Sequence, residues 1–455
     1  MKTQFWLIFP ILVLQLTACA KNEDPRRDLA GPDKVEKTSL VAKKIRALLD
    51  RGDDSCSARG KFKGCRKEVV SLNPPSSSAS KSGQRVLILD TFFAPPSAFG
   101  RYQKRNLEFH YLADTETGNY QVWSPSARVP ALLTKVLAEI DDKTTLSDLS
   151  SVAEDLNRLH FQIEILNYPK NPAIGHVDPI FNWLVEWNPK AEFTLAEFPV
   201  PTDEIFCALD EAEGRRAYAK FYKKAGEELA EIVQRNNIDF VNLSFTPTED
   251  SLAEYYSRRC QKDFSQILER DRTMLQLHTA QIIGMMTKAN PMLLIVQAAP
   301  NQAKQKLQEN DSRAAFMCNP NKQSVTIGFF TALDSGVSSS GVPIRSAWMH
   351  PAQRNGIECT DAFINGGMVE SQDPEALVPD QYNEHSLYKN YNGVLLNPEP
   401  VMATSWATPM ALSLLMHWKA QAMEQGSSLT PLELREKIKG RMWDPLRNKT
   451  LNHPF

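Results

Sequence analysis

Three polar side chains stand where acid–base and nucleophilic chemistry would need them, at the ends of apolar runs. Ser405 lies in Ala403-Thr404-Ser405-Trp406-Ala407-Thr408-Pro409-Met410-Ala411, which continues as an apolar stretch to Trp418. A serine in the first turn of a helix faces backbone N–H groups without intrahelical partners and the positive end of the helix dipole, which together hold a developing oxyanion. Serine is also a favoured N-cap, so its position alone leaves two roles open. Pro409 has no N–H to donate and is tolerated only where the helix has barely begun. His176 directly precedes Val177, Ile180, Phe181, Leu184 and Val185, spaced as one buried helix face. An uncharged imidazole there either takes a hydroxyl proton and returns it to a leaving group, or simply caps the helix. Asp90 ends the apolar run 85–89. It reads either as the carboxylate that orients the imidazole or as a turn starter. His110 and His160 compete as bases, but neither precedes an apolar helical stripe.

Such ends need a scaffold, and the chain alternates strand-like with helix-like runs. Short apolar or alternating segments at 85–89, 161–166, 193–198 and 238–244 read as strands. The nearly continuous apolar run 292–299 fits a strand covered on both faces. Helical patterns cover about 211–235 and 265–287. The alternation predicts an α/β fold, a doubly wound, mostly parallel sheet with helices on both faces. In such sheets functional groups gather at the carboxyl ends of the strands.

The serine segment resembles the nucleophile motif of subtilisin-like serine peptidases, Gly-Thr-Ser-x-Ala-x-Pro, with Ala403 in place of glycine. Further blocks follow in that family's order. Leu87-Ile88-Leu89-Asp90-Thr91 resembles its opening strand, and Asn188-Pro189-Lys190-Ala191-Glu192-Phe193 its Ala-Pro-x-Ala turn and following strand. Asn242-Leu243-Ser244 resembles the strand end whose backbone lines the substrate cleft. Ala298-Ala299-Pro300-Asn301 resembles the block whose asparagine amide donates to the oxyanion, and 429–435 the closing helix. The resemblance spans about 85–443. It implies a triad of Asp90, His176 and Ser405, with Asn301 as oxyanion donor and Ser244 in the cleft. The order Asp, His, Ser is that of subtilisin. The implied chemistry is endopeptidase action on protein or peptide substrates through an acyl-enzyme, with no metal or organic cofactor. Calcium is frequent in the family, but no compact acidic loop is assignable to it here. The long interval between Asp90 and His176 reads as an insertion at about 93–160. Phe92, Val177, Ala403 and Pro300 replace family glycines. They motivate an alternative, a lipoprotein of the same fold that binds a protein partner with little or no catalysis. A lipase-like esterase is disfavoured, since no Gly-x-Ser-x-Gly elbow surrounds any serine.

At the N-terminus, Lys2 precedes an apolar run to Leu16 that is shorter than the ~20 residues of a spanning helix. It reads as a signal peptide over 1–18. Leu16-Thr17-Ala18-Cys19 resembles a bacterial lipobox, which makes Cys19 the lipidated first residue of an envelope-anchored chain, periplasmic or cell-surface. Ordinary cleavage that leaves a Cys19 thiol is the alternative. Residues 22–44 read as a polar tether and 73–80 as a linker, so 19–83 forms a separate stretch ahead of a globular unit at 84–455. The six other cysteines suit disulfides in an oxidising compartment. Nearness in sequence favours Cys56–Cys65, Cys207–Cys260 and Cys318–Cys359. A formal net charge of -2 over 455 residues gives no basic excess for nucleic acid.

Overall fold

The computed structural model describes residues 39–51, 67–71, 83–90, 107–123, 126–130, 132, 135–136, 139, 146–152, 155–156, 176–188, 190–301, 305–318, 321–337, 343–348, 357–369 and 404–441. Apart from Ser39, these lie in the compact unit 40–455. The expected signal peptide at 1–18, Cys19, Cys56, Cys65, His160, the expected strand at 161–166, and Pro189 lie outside the described residues.

The strands are β1 (Lys67–Ser71), β2 (Arg85–Asp90), β3 (Leu107–Ala113), β4 (Tyr120–Val122), β5 (Ser126–Pro130), β6 (Glu192–Glu197), β7 (Phe240–Leu243), β8 (Leu294–Ala298), β9 (Ser324–Val337), β10 (Pro343–Trp348) and β11 (Ala362–Val369). The longer helices are α1 (Leu40–Arg51), α2 (Val177–Trp187), α3 (Ala212–Arg235), α4 (Glu249–Cys260), α5 (Glu269–Ala289), α6 (Thr404–Glu424) and α7 (Pro431–Arg441). Nine of these strands form one sheet in the order β10-β9-β8-β7-β2-β6-β3-β4, with β11 also pairing β9. Pairing is parallel from β3 through β9 and between β9 and β11; β3–β4 and β9–β10 are antiparallel. The chain is thus an α/β protein with a mostly parallel sheet.

Two cores explain the near-continuous apolar strands. Val86 and Ile88 of β2, Phe240 of β7, and Leu294 and Val296 of β8 pack with α1, α2, α6 and α7 on one face. Their neighbours Leu87, Leu89, Val241, Leu243 and Ile295 pack with α3, α4 and α5 on the other. Successive side chains of a strand point to opposite faces, so a strand covered on both sides is apolar at every position. On α2 the stripe Val177, Ile180, Phe181, Leu184 and Val185 is fully buried. Asn188 closes that helix: its backbone N–H and its side-chain amide both donate to the Leu184 carbonyl, and the amide also reaches Ser413 of α6 at 2.9 Å. Helix α6 is buried around most of its circumference, as a helix between a sheet and other helices must be.

Within the segment 93–160, β3 pairs with β6 and, with β4, extends the central sheet. Helix α1 starts inside the stretch read as tether and buries Ala42 and Ile45 in the core shared by α2 and α6, while β1 pairs with β5. Arg46 ties this helix down through Asp155 and the Ser151 carbonyl. Strands β9, β10 and β11 have no counterpart in the sequence reading. Two of the near-neighbour disulfides are formed, Cys207–Cys260 with Cα atoms 5.2 Å apart and Cys318–Cys359 at 4.9 Å.

Candidate active site

Strand alternation brings the polar residues to one face. On β2, Val86 and Ile88 face α2 and α6, so the next residue of that parity, Asp90, faces them too at the carboxyl end of the strand. On β7 the same parity carries Phe240 to Asn242 and then to Ser244 just beyond the strand. A shift of one residue in either strand would turn these groups toward α3 and α5.

Asp90 is fully buried, and its Oδ1 accepts from His176 Nδ1 at 2.8 Å. His176 is the N-cap residue of α2, yet its side chain makes no capping hydrogen bond. The imidazole is committed to the carboxylate, not to its own helix. Its side chain is 30% exposed and that of Asp90 0%, so the pair is closed at the carboxylate and open at the ring. The indole of Trp406 lies over the ring with centroids 5.2 Å apart. His110 sits on β3, separated from β2 by β6.

Ser405 is inside the first turn of α6 and is not its N-cap. Its hydroxyl donates to the Ser244 carbonyl at 3.0 Å, so in this state its single proton goes there and not to His176. Asn301, just beyond β8, accepts through Oδ1 from the Thr404 backbone N–H at 2.9 Å and from the Thr404 hydroxyl at 2.8 Å. A backbone N–H only donates, so the amide oxygen must face Thr404, which directs the Nδ2 donors the other way. The loop after β7 is clamped to the end of β8 by the Thr246 hydroxyl, which donates to the Ala298 carbonyl. Asn301, Ser244 and the start of α6 are thus joined by hydrogen bonds, and Asp90 and His176 by another. Trp406 bridges the two groups as the neighbour of Ser405 whose ring packs, tilted by 35°, against His176.

Across the sheet from Asp90, Glu197 is its register partner. Burial pushes the Glu197 carboxyl up from its ordinary value, opposed in part by the Ala113 N–H. Among the described residues no group of three or more His, Cys, Asp or Glu side chains is arranged to hold a metal ion.

No protein-family model matches the chain, and no curated protein does. Some solved structures are similar to it at low scores. The self-cleaved protease domain of PatA is 12% identical over 78% of this chain and 86% of its own, with a TM-score of 0.28. The prenylagaramide maturation protease PagA is 13% identical over 78% and 81%, at 0.28. The epidermin leader peptide processing serine protease EpiP from Staphylococcus aureus is 13% identical over 80% and 70%, at 0.31. At such scores the site stands on its own geometry.

That geometry includes partners not singled out from sequence. Thr404, which turns the Asn301 amide, and Asn242, whose Nδ2 donates to Ser244 Oγ at 2.9 Å, lay inside quoted motifs but were given no role of their own. Trp406 occupies a variable motif position, so its contact with His176 had no sequence signal. Were the chain a peptidase with Asn301 as oxyanion donor, Asn301→Ala would lower kcat by about 10²–10³, the scale for loss of one such donor in subtilisin, with KM little changed. Asn301→Asp keeps the acceptor toward Thr404 and puts an anion where the donor was. It should be at least as damaging in the same steady-state assay.

Proposed function

We propose that this chain is a subtilisin-like serine endopeptidase, exported and lipid-anchored through Cys19 in a bacterial cell envelope, that hydrolyses protein or peptide substrates through an acyl-enzyme. The observation that carries the reading is the buried Asp90 carboxylate on His176 Nδ1, on the sheet face that also carries the first turn of α6 with Ser405. Asp90 holds the imidazole as its Nδ1–H tautomer, which makes Nε2 the acceptor. The Ser405 hydroxyl leaves the Ser244 carbonyl, turns about χ1 and gives its proton to Nε2 as Oγ attacks the scissile carbonyl. The tetrahedral oxyanion is held by Asn301 Nδ2 and the Ser405 N–H. The imidazolium then protonates the leaving amine, and water releases the acyl group by the same steps in reverse.

A second reading has a specific observation behind it, since Ser405 is bonded to Ser244 and not to the base. A binding protein of this fold would have no need to release it. A fluorophosphonate probe separates the two: stoichiometric labelling lost in Ser405→Ala supports the peptidase, and an unlabelled folded protein excludes it. Cys19→Ser is expected to abolish palmitate incorporation and to move the protein out of the membrane fraction. Unchanged incorporation would rule out the anchor while leaving the catalytic reading intact.

A further inference from the structure

We infer that Ser244 is a positioning residue for the nucleophile, its side-chain hydroxyl standing in for the helix hydrogen bond that Pro409 cannot make to the Ser405 carbonyl. The inference rests on the peptidase reading above. In an α-helix the carbonyl of residue i accepts from the N–H of residue i+4. For Ser405 that residue is Pro409, inside α6, which has no N–H. The carbonyl is instead reached by Ser244 Oγ at 2.9 Å.

Donor roles are fixed by chemistry. The Ser405 carbonyl can only accept, so the one Ser244 hydroxyl proton is spent on it, and the Asn242 group 2.9 Å from Ser244 Oγ must be the donating Nδ2. Asn242, Ser244 and Ser405 thus form a directed chain from the end of β7 into the first turn of α6, with all three residues buried. One residue, Ser405, supplies both the attacking oxygen and a backbone oxyanion donor. A shift of its backbone about Cα would displace both at once. Holding its carbonyl leaves χ1 as the freedom by which Oγ moves from the Ser244 carbonyl to His176.

Ser244→Ala is expected to lower kcat and the rate of fluorophosphonate labelling about 10- to 100-fold, the scale of a small misplacement of the reacting group. KM should stay within about twofold, because substrate binding is not what the hydroxyl supports. Pro409→Ala returns an N–H four residues beyond Ser405. In that background, adding Ser244→Ala should cost no more than about threefold, a coupling that loss of packing alone would not produce. The inference fails if Ser244→Ala labels at the wild-type rate, or if its cost is the same in both backgrounds. If melting temperature shows that Ser244→Ala alone unfolds, the comparison of the double variant with Pro409→Ala carries the test, and a loss above about tenfold there overturns the inference. Wild-type protein that takes up no label removes the peptidase reading itself, and this inference with it.

Discussion

Ser405→Ala and His176→Ala are each expected to lower kcat by about 10⁶-fold, the scale seen when one of these two members is removed from subtilisin. Combining them should cost little more, because a nucleophile without its base and a base without its nucleophile are equally idle. The geometry gives the expectation its shape. His176 Nδ1 is held at 2.8 Å by a carboxylate with no exposure, and its ring lies against the side chain next to Ser405. Strand β6 lies between the strand that carries His110 and β2. His110→Ala should therefore turn over at close to the wild-type rate. The kcat on a peptide ester, referred to the concentration of folded protein, checks all four proteins. Full activity in His176→Ala would overturn the assignment of the base, and a double variant far below either single one would show that the two residues do not act as a unit.

Asp90→Asn is the second large effect, about 10⁴-fold on kcat at neutral pH. Asparagine has nearly the same shape, so the buried site at the end of β2 should keep its packing. The change lies in the proton. Asp90 Oδ1 can only accept, which fixes the proton on His176 Nδ1 and leaves Nε2 to accept from Ser405. An amide can present its NH₂ to Nδ1, which reverses the tautomer and puts a proton on Nε2, where a base is needed. ¹⁵N chemical shifts of the imidazole read the tautomer directly and should reverse between wild type and variant. Activity within tenfold of wild type, or an unchanged tautomer, would mean that the carboxylate does not set the base.

Much of the scaffold was legible because its signals are local. The apolar stripe of α2 follows a 3.6-residue period over one short segment, and all five of its named residues are buried. The runs that became β2, β7 and β8 are largely apolar because parallel strands are covered on both faces, and β6 alternates through Phe193 and Leu195. Boundaries moved by only a few residues. Nothing local marks β3 as a central-sheet strand, because its partner β6 lies about 84 residues away along the chain, the separation of the Ala113–Glu197 hydrogen bond. Strand β9 begins with Val325, Ile327 and Phe329 buried at alternate positions, a short signal interrupted by Gly328 and followed by mixed residues. Helix α1 has charged residues on its open side, and only its packing on the core separates it from a solvated tether.

The sequence by itself determined the α/β alternation, the order Asp90, His176, Asn301, Ser405, and the strand end or helix start at which each residue sits, because these follow from periodicity and from short motifs. It left open whether His176 caps a helix or serves a carboxylate, and whether Ser405 is an N-cap or a nucleophile. Only the tertiary structure decided that His176 spends Nδ1 on Asp90, a contact across 86 residues, that Asn301 turns its oxygen to Thr404, and that the Ser405 proton rests on Ser244. The reason is physical. Strand parity fixes which face a side chain takes, whereas the partner it meets there is set by how distant strands and helices pack, and a hydrogen bond exists only once both donor and acceptor have arrived.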